Sequence, residues 1–140
     1  MAIKDFSTKA AVVVSDDPAV WQRLNVTAFL VSGLVGGRDE RVVGDDYVDA
    51  DGEHYLPMLV QPLIVLEASR AKLKTVRRRA SERGVPIAIY TAELFSTGHD
   101  EANRAAVRAV RTEELDLVGV GVRAPHKEAD AILRGLRRHA

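Results

Sequence analysis

The sequence predicts an α/β fold: a three-layer α/β/α sandwich with helices on both sides of a mixed, mostly parallel sheet. Three observations carry this. The runs KAAVVV (9–14), PLIVLEA (62–68) and VPIAIYT (85–91) are short, continuous and apolar, as strands covered on both faces must be. Segments of helical periodicity separate them. At 140 residues and 46% hydrophobic content, the chain suits one domain, 1–140, with a real core.

Taken in order, the first strand leads into DDPAVWQRLNVTAFLVSGLVGG. Asp17 is a good N-cap acceptor, Pro18 fits the first helical position, and Gly36 and Gly37 supply a left-handed stop. The helix between is apolar around most of its circumference. Trp21, Leu24, Ala28, Val31 and Val35 form one stripe, Val26, Leu30 and Leu34 lie beside it, and burial of most of the helix is expected. Asn25 is the central member of a narrow polar stripe with Gln22 and Ser32.

The stretch VGDDYVDADGEHY (43–55) holds four aspartates, a glutamate and a histidine. It fails as a calcium loop, because Tyr47 and Met58 stand where the EF-hand pattern needs oxygen ligands. It reads instead as a hairpin over 47–60 whose two-residue turn is Asp51-Gly52. That register places Asp49 opposite His54, with β-carbons about 5 Å apart.

Ser69 is a suitable N-cap for a helix over SRAKLKTVRRRASERG, where seven basic residues accompany one acid, Glu82. Gly84 and Pro86 end it. Thr97 and Asp100 have the form of a capping box opening a helix over 98–110. LDLVGVGVRAP alternates Gly119 and Gly121 on one face with Val118, Val120 and Val122 on the other, so a helix backbone or a ligand can approach the bare face. Without a third glycine opening a helix, this GxG is a weak dinucleotide signal, and no cofactor is expected. PHKEADAILRGLRRHA reads as a terminal helix burying Ala129, Ile132, Leu133 and Leu136.

Composition excludes whole classes of chemistry. There is no cysteine, hence no disulfide, thiolate nucleophile or thiolate-held zinc. His99, His126 and His139 have no mutual spacing that makes a metal site, and no tightly held metal is expected. No run of about 18 apolar residues is present to cross a bilayer, and the opening MAIKDFSTKAAVVVSDD does not read as a signal peptide, so a cytoplasmic location and no membrane partner are expected. Residues 1–68 carry five Lys/Arg against eleven Asp/Glu, a net of −6, and residues 69–140 a net of +6. The two halves either interleave and pair, or present complementary faces to a second copy.

KAAVVVSDDPAVWQRLNVTAFLVSGLVGG, VVGDDYVDADGEHY, VQPLIVLEAS and GVGVRAPHKEADAILRGLRRH together resemble the uncharacterised bacterial family called domain of unknown function two thousand, which is similar in fold to the type II peptidyl-tRNA hydrolases. The resemblance spans nearly the whole chain and implies a type II peptidyl-tRNA hydrolase-like sandwich, commonly a homodimer. It does not carry the activity. In an ungapped placement Leu24, Ala28 and Val31 stand where those hydrolases have a lysine, a glutamine and a histidine, and Arg23 is the only cation nearby. An oxyanion without a charged partner loses a few kcal/mol of stabilisation.

Three functions then compete. The first is a small binding module that holds a polar small-molecule ligand at the head of the first helix, lined by Trp21, Asn25, Gly119, Gly121 and the Asp49–His54 pair. Lys127, on the opening turn of the last helix, is a candidate anion contact. The second is a hydrolase or transferase with His54 as general base, oriented by Asp49, and Thr91 as the available hydroxyl. The third, less favoured, is a nucleic-acid binder using the basic helix from Arg70 to Arg83, which has no interleaved aromatics to stack on bases.

Overall fold

The structure is a computed structural model and describes residues 7–37 and 42–140, which leaves out the first six residues of the opening stretch. In chain order the elements are β1 (Thr8–Ser15), α1 (Val20–Gly36), β2 (Tyr47–Val48), β3 (His54–Tyr55), β4 (Leu63–Ala68) and α2 (Arg70–Glu82). There follow β5 (Ile87–Thr91), α3 (Asp100–Arg108), β6 (Leu117–Pro125), α4 (His126–Ile132) and β7 (Arg137–Arg138). Single 3-10 turns lie at Ala92–Ser96 and Thr112–Glu114.

Five strands form the main sheet in the order β5-β6-β1-β4-β7. Only β1 and β4 run parallel; the pairs β1–β6, β5–β6 and β4–β7 are antiparallel. The sheet is mixed as expected, but the expectation of mostly parallel strands is corrected. A strand covered on both faces has the same apolar composition in either direction.

One face of the sheet packs Val12, Val14, Tyr90 and Val118 against Val26 and Leu30 of α1. The other packs Val13, Leu66, Val120 and Val122 against Leu73, Val76 and Ala80 of α2 and Ala129 and Ile132 of α4. These are the three layers. A bulge where β5 meets β6, with Tyr90 opposite Gly119 and Thr91 opposite Leu117, turns Val118 onto the α1 face, against the simple alternation.

α1 begins later than its cap residues suggested. The Asp17 carboxylate accepts from the Ser15 hydroxyl and from Arg70 Nε at 2.8 Å, so it is not free to cap. Instead Gln22 Oε1 accepts the Ala19 N–H at 2.9 Å. Gly37 ends the helix at φ −90°, not left-handed. Ser69 caps α2 as expected, accepting from the Lys72 N–H at 3.1 Å. His99, rather than Thr97, caps α3, its Nδ1 accepting the Ala102 N–H at 3.2 Å. The terminal segment is helical only to Ile132. Gly135, at φ +86°, turns the chain into β7 on the far side of β4.

The two charged halves interleave. Lys9 pairs with Asp130, Arg70 bridges Asp17 and Asp116, and Arg137 reaches Glu67 at 3.4 Å. On α2 and at its C-cap, Arg77, Arg78 and Arg83 pair with Glu113, Glu82 and Glu128, and Arg79 donates to the carbonyls of Ile132 and Arg134. Most of the basic helix is thus spent within the fold.

Candidate functional site

α1 lies close on the sheet because β6 sets two glycines, Gly119 and Gly121, beneath it. A Cβ on Gly119 would fall 2.5 Å from Val26 Cγ1 and 2.9 Å from Leu30 Cδ1, and one on Gly121 would lie 3.4 Å from the Leu30 backbone oxygen. The two glycines therefore seat a helix, and their assignment as ligand contacts is corrected.

With its buried edge fixed by Val26 and Leu30, α1 turns Trp21, Asn25 and Phe29 outward at four-residue spacing along one side. Facing them across a cavity of about 330 Å³ are Leu94, Phe95, Thr97, Gly98, His99, Asp100 and Asn103, from the 3-10 turn and the head of α3. Tyr90 of β5 closes the space between. Its ring is 6.0 Å from Phe29 and 5.1 Å from Phe95, in tilted contacts that hold all three aromatic planes. The cavity opens into a wider groove along β5, bordered by Ser32, Gly33, Arg104, Val107 and Arg108.

The polar groups of this cavity divide into engaged and free. Asp100 accepts from Arg104 Nε at 2.8 Å, which balances its charge. Thr97 is hydrogen-bonded to Asn103 and to the Leu94 carbonyl. His99 uses Nδ1 for the α3 cap, which leaves the proton of its neutral form on Nε2. Neither the Asn25 amide nor the Tyr90 hydroxyl has a hydrogen-bond partner among the described residues. Burial pushes the Tyr90 pKa up, so at neutral pH its hydroxyl remains a donor.

The ribbon β2–β3 stands elsewhere, and none of its residues lines this cavity. Its loop has three residues. Tyr47 pairs with Tyr55 and Val48 with His54, while Gly52 takes φ +86° and no described non-glycine residue has a positive φ, which rules out the two-residue turn. Asp49 therefore lies opposite Glu53, on the other face from His54. Its Oδ1 accepts the N–H groups of Asp51 at 2.9 Å and Glu53 at 3.0 Å, and its Oδ2 accepts the Tyr55 hydroxyl at 2.7 Å. His54 Nδ1 meets Asp46 Oδ2 at 3.3 Å instead. The Asp49–His54 pair is thus corrected, since a one-residue change of register sends a side chain to the opposite face.

Thr91, the proposed hydroxyl, is 1% exposed and pairs across the sheet with Leu117, in the core under α2 and α4. Its Oγ1 has no partner among the described residues, and its burial closes it to substrate. Lys127 lies on α4, on the opposite side of the sheet from α1. Of the predicted site, then, the structure brings together Trp21 and Asn25 alone. Sequence reasoning missed Tyr90, Phe95, Thr97, His99 and Asn103. The signal is STGHDEAN, a polar cluster directly after an aromatic turn, which by local pattern alone resembles only a helix start. Among the described residues, no three His, Asp or Glu side chains are placed to hold a metal ion, and no helix is long and apolar enough to cross a membrane.

Fold and cavity define the class: a small α/β sandwich with one flank of its first helix open to a ligand-sized, aromatic-walled space. The family described as "Protein of unknown function (DUF2000)" matches residues 8–140, and the chain belongs to it. Among solved structures, a protein of unknown function from Agrobacterium tumefaciens strain C58 is similar, at 40% identity over 97% of this chain and 100% of that one, with a TM-score of 0.93. The comparison with curated proteins found no match.

Proposed function

We propose that this protein is a cytosolic binding domain for a small, planar, polar molecule, held between α1 and the head of α3. The observation that carries this is the lining of one cavity, in which the Asn25 amide and the Tyr90 phenol stand among the rings of Trp21, Phe29 and Phe95. Aromatic walls with a few convergent polar groups are the usual make-up of a small-molecule site, and about 330 Å³ falls near the small end of such sites. Trp21 supplies a stacking face, Asn25 a donor and an acceptor, Tyr90 a donor, and His99 Nε2 a further donor at the rim.

Binding is favoured over catalysis by what lines the cavity. The Thr97 hydroxyl is already bonded twice, Asp100 is neutralised by Arg104, and no serine or lysine is among the residues around the ring of aromatics. The likeness to type II peptidyl-tRNA hydrolases belongs to this proposal as one of chain path without chemistry. Leu24 and Ala28 are exposed apolar side chains where those enzymes' lysine and glutamine would stand.

The test is a thermal-shift panel of nucleosides, aromatic carboxylates and aromatic amides, followed by titration calorimetry of any compound that stabilises. A ligand at a hundred times its dissociation constant adds about 2.7 kcal/mol. The stabilisation is expected to vanish in Asn25→Ala and to fall in Tyr90→Phe. A compound that stabilises both variants as well as the parent binds elsewhere and removes the assignment.

A further inference from the structure

Ten large apolar side chains are exposed among the described residues, and all ten belong to two segments. Val20, Trp21, Leu24 and Phe29 lie on the first half of α1; Tyr47, Val48, Tyr55, Leu56, Met58 and Val60 lie on the ribbon. The rest of the described surface has none. Trp21 is 65%, Leu24 67% and Leu56 86% exposed, and contiguous apolar patches of this kind mark interaction surfaces.

Each segment is incomplete by itself. α1 is apolar around most of its circumference, and such a helix is normally covered on all sides. The ribbon runs from Val42 to Val60, closed by the Val43–Leu59 bridge and by Gly44 N–H to the Met58 carbonyl at 3.1 Å. Residues 45–56 are exposed without exception. A two-stranded ribbon with nothing packed on it is marginal in water.

Charge indicates what covers them. Residues 42–61 carry five carboxylates, Asp45, Asp46, Asp49, Asp51 and Glu53, and no Lys or Arg. α1 has no acidic residue and one cation, Arg23; of the two arginines at the rim of the groove alongside, Arg104 is paired with Asp100 and Arg108 is exposed. The acidic apolar element and the apolar face with basic edges are complementary. Both are present on every copy, which is what a closed two-fold interface requires.

We propose that two copies of this chain associate reciprocally, the ribbon 42–60 of each lying on the exposed face of α1 of the other. A stable dimer needs about 800 Å² from each copy, the order of area that ten large, mostly exposed apolar side chains offer. Trp21 and Phe29 belong both to this face and to the cavity wall, so the partner's ribbon lies beside the mouth of the cavity.

Sedimentation velocity on the full chain tests this with two single variants at exposed positions outside the cavity lining, Leu24→Glu on the helix and Leu56→Glu on the ribbon. The parent is expected to be a dimer, and each variant to dissociate about a hundredfold more readily with its circular dichroism unchanged. An equimolar mixture of the two variants is expected to recover dimer, because one intact ribbon-to-helix contact forms in the mixed pair. A parent that stays monomeric at its highest soluble concentration overturns the proposal and leaves the face to another protein. So does a dimer that survives either variant, or a mixture that recovers nothing. Ligand titration of the monomeric variants is read separately, so loss of the dimer and loss of the binding reading are distinguishable.

Discussion

Asp49 accepts the Tyr55 hydroxyl across the ribbon at 2.7 Å, while its other oxygen collects two backbone N–H groups of the loop. The Tyr55 bond, followed by the Glu53 amide, holds the Asp49 carboxyl below the ordinary aspartate range, and the same bond raises the Tyr55 phenol. Tyr55→Phe is therefore expected to move the Asp49 titration upward, as followed by carboxyl carbon NMR. An unmoved midpoint would show that the loop amides alone set it.

Gly119 is required by helix approach rather than by chain flexibility. Gly119→Ala places a methyl group against the β-branched Val26, which has little room to turn, and is expected to cost about 1–3 kcal/mol by chemical denaturation. Gly121→Ala, with its nearest contacts at 3.4 Å, is expected to cost less. Equal losses would contradict the seating of α1 described above.

The buried Thr91 hydroxyl has no hydrogen-bond partner among the described residues. An unsatisfied buried polar group costs about 1–3 kcal/mol, so Thr91→Val, which keeps the shape, is expected to stabilise the fold by about 1 kcal/mol. A destabilised valine variant would mean that the hydroxyl has a partner after all, and a urea melt decides between the two.

Asp17 gives the fold an acid-sensitive component. The Ser15 hydroxyl does most to hold its carboxyl below the ordinary value; burial opposes this, and the charge and hydrogen bond of Arg70 add to the lowering. A depressed folded-state pKa contributes stability that is present above the unfolded value and lost as the pH falls through the folded one. Between about pH 5 and about pH 3, Asp17→Asn is therefore expected to lose less stability than the parent. At pH 7 the variant should be weaker by no more than about 1 kcal/mol, because the pair with Arg70 is half exposed. Parallel pH profiles for the two proteins would remove Asp17 from the account.

The elements were legible where one period dominated. KAAVVV, PLIVLEA and the GxG strand have compositions that only covered strands tolerate, and Ser69 and Gly84 bracket α2 in the way helix ends require. Strand direction was not legible, because β6 enters between β1 and β5 through pairings more than a hundred residues from β1, and no local signal encodes that. The ribbon was seen but misregistered. Asp-Gly suits a two-residue or a three-residue loop, and the choice falls to the Asp49 side chain, which accepts from both Asp51 and Glu53. Similarly, Trp21 and Asn25 could be read from helical spacing, whereas His99 and Asn103 meet them only because β5 and the following turn carry α3 to the same side.

The central strand β1 precedes both of its neighbours by many residues, Val12 pairing with Val65 on one side and Gly121 on the other. On the ribosome, therefore, AAVVV emerges long before either neighbour, and its β6 edge stays open until residues 119–125 have been made. Local helix formation is fast, but closure of such distant pairings is slow and leaves sticky segments exposed meanwhile. Assembly of this domain is thus a late, nearly all-or-none event, and a nascent chain released before residue 117 has only half a sheet to fold onto.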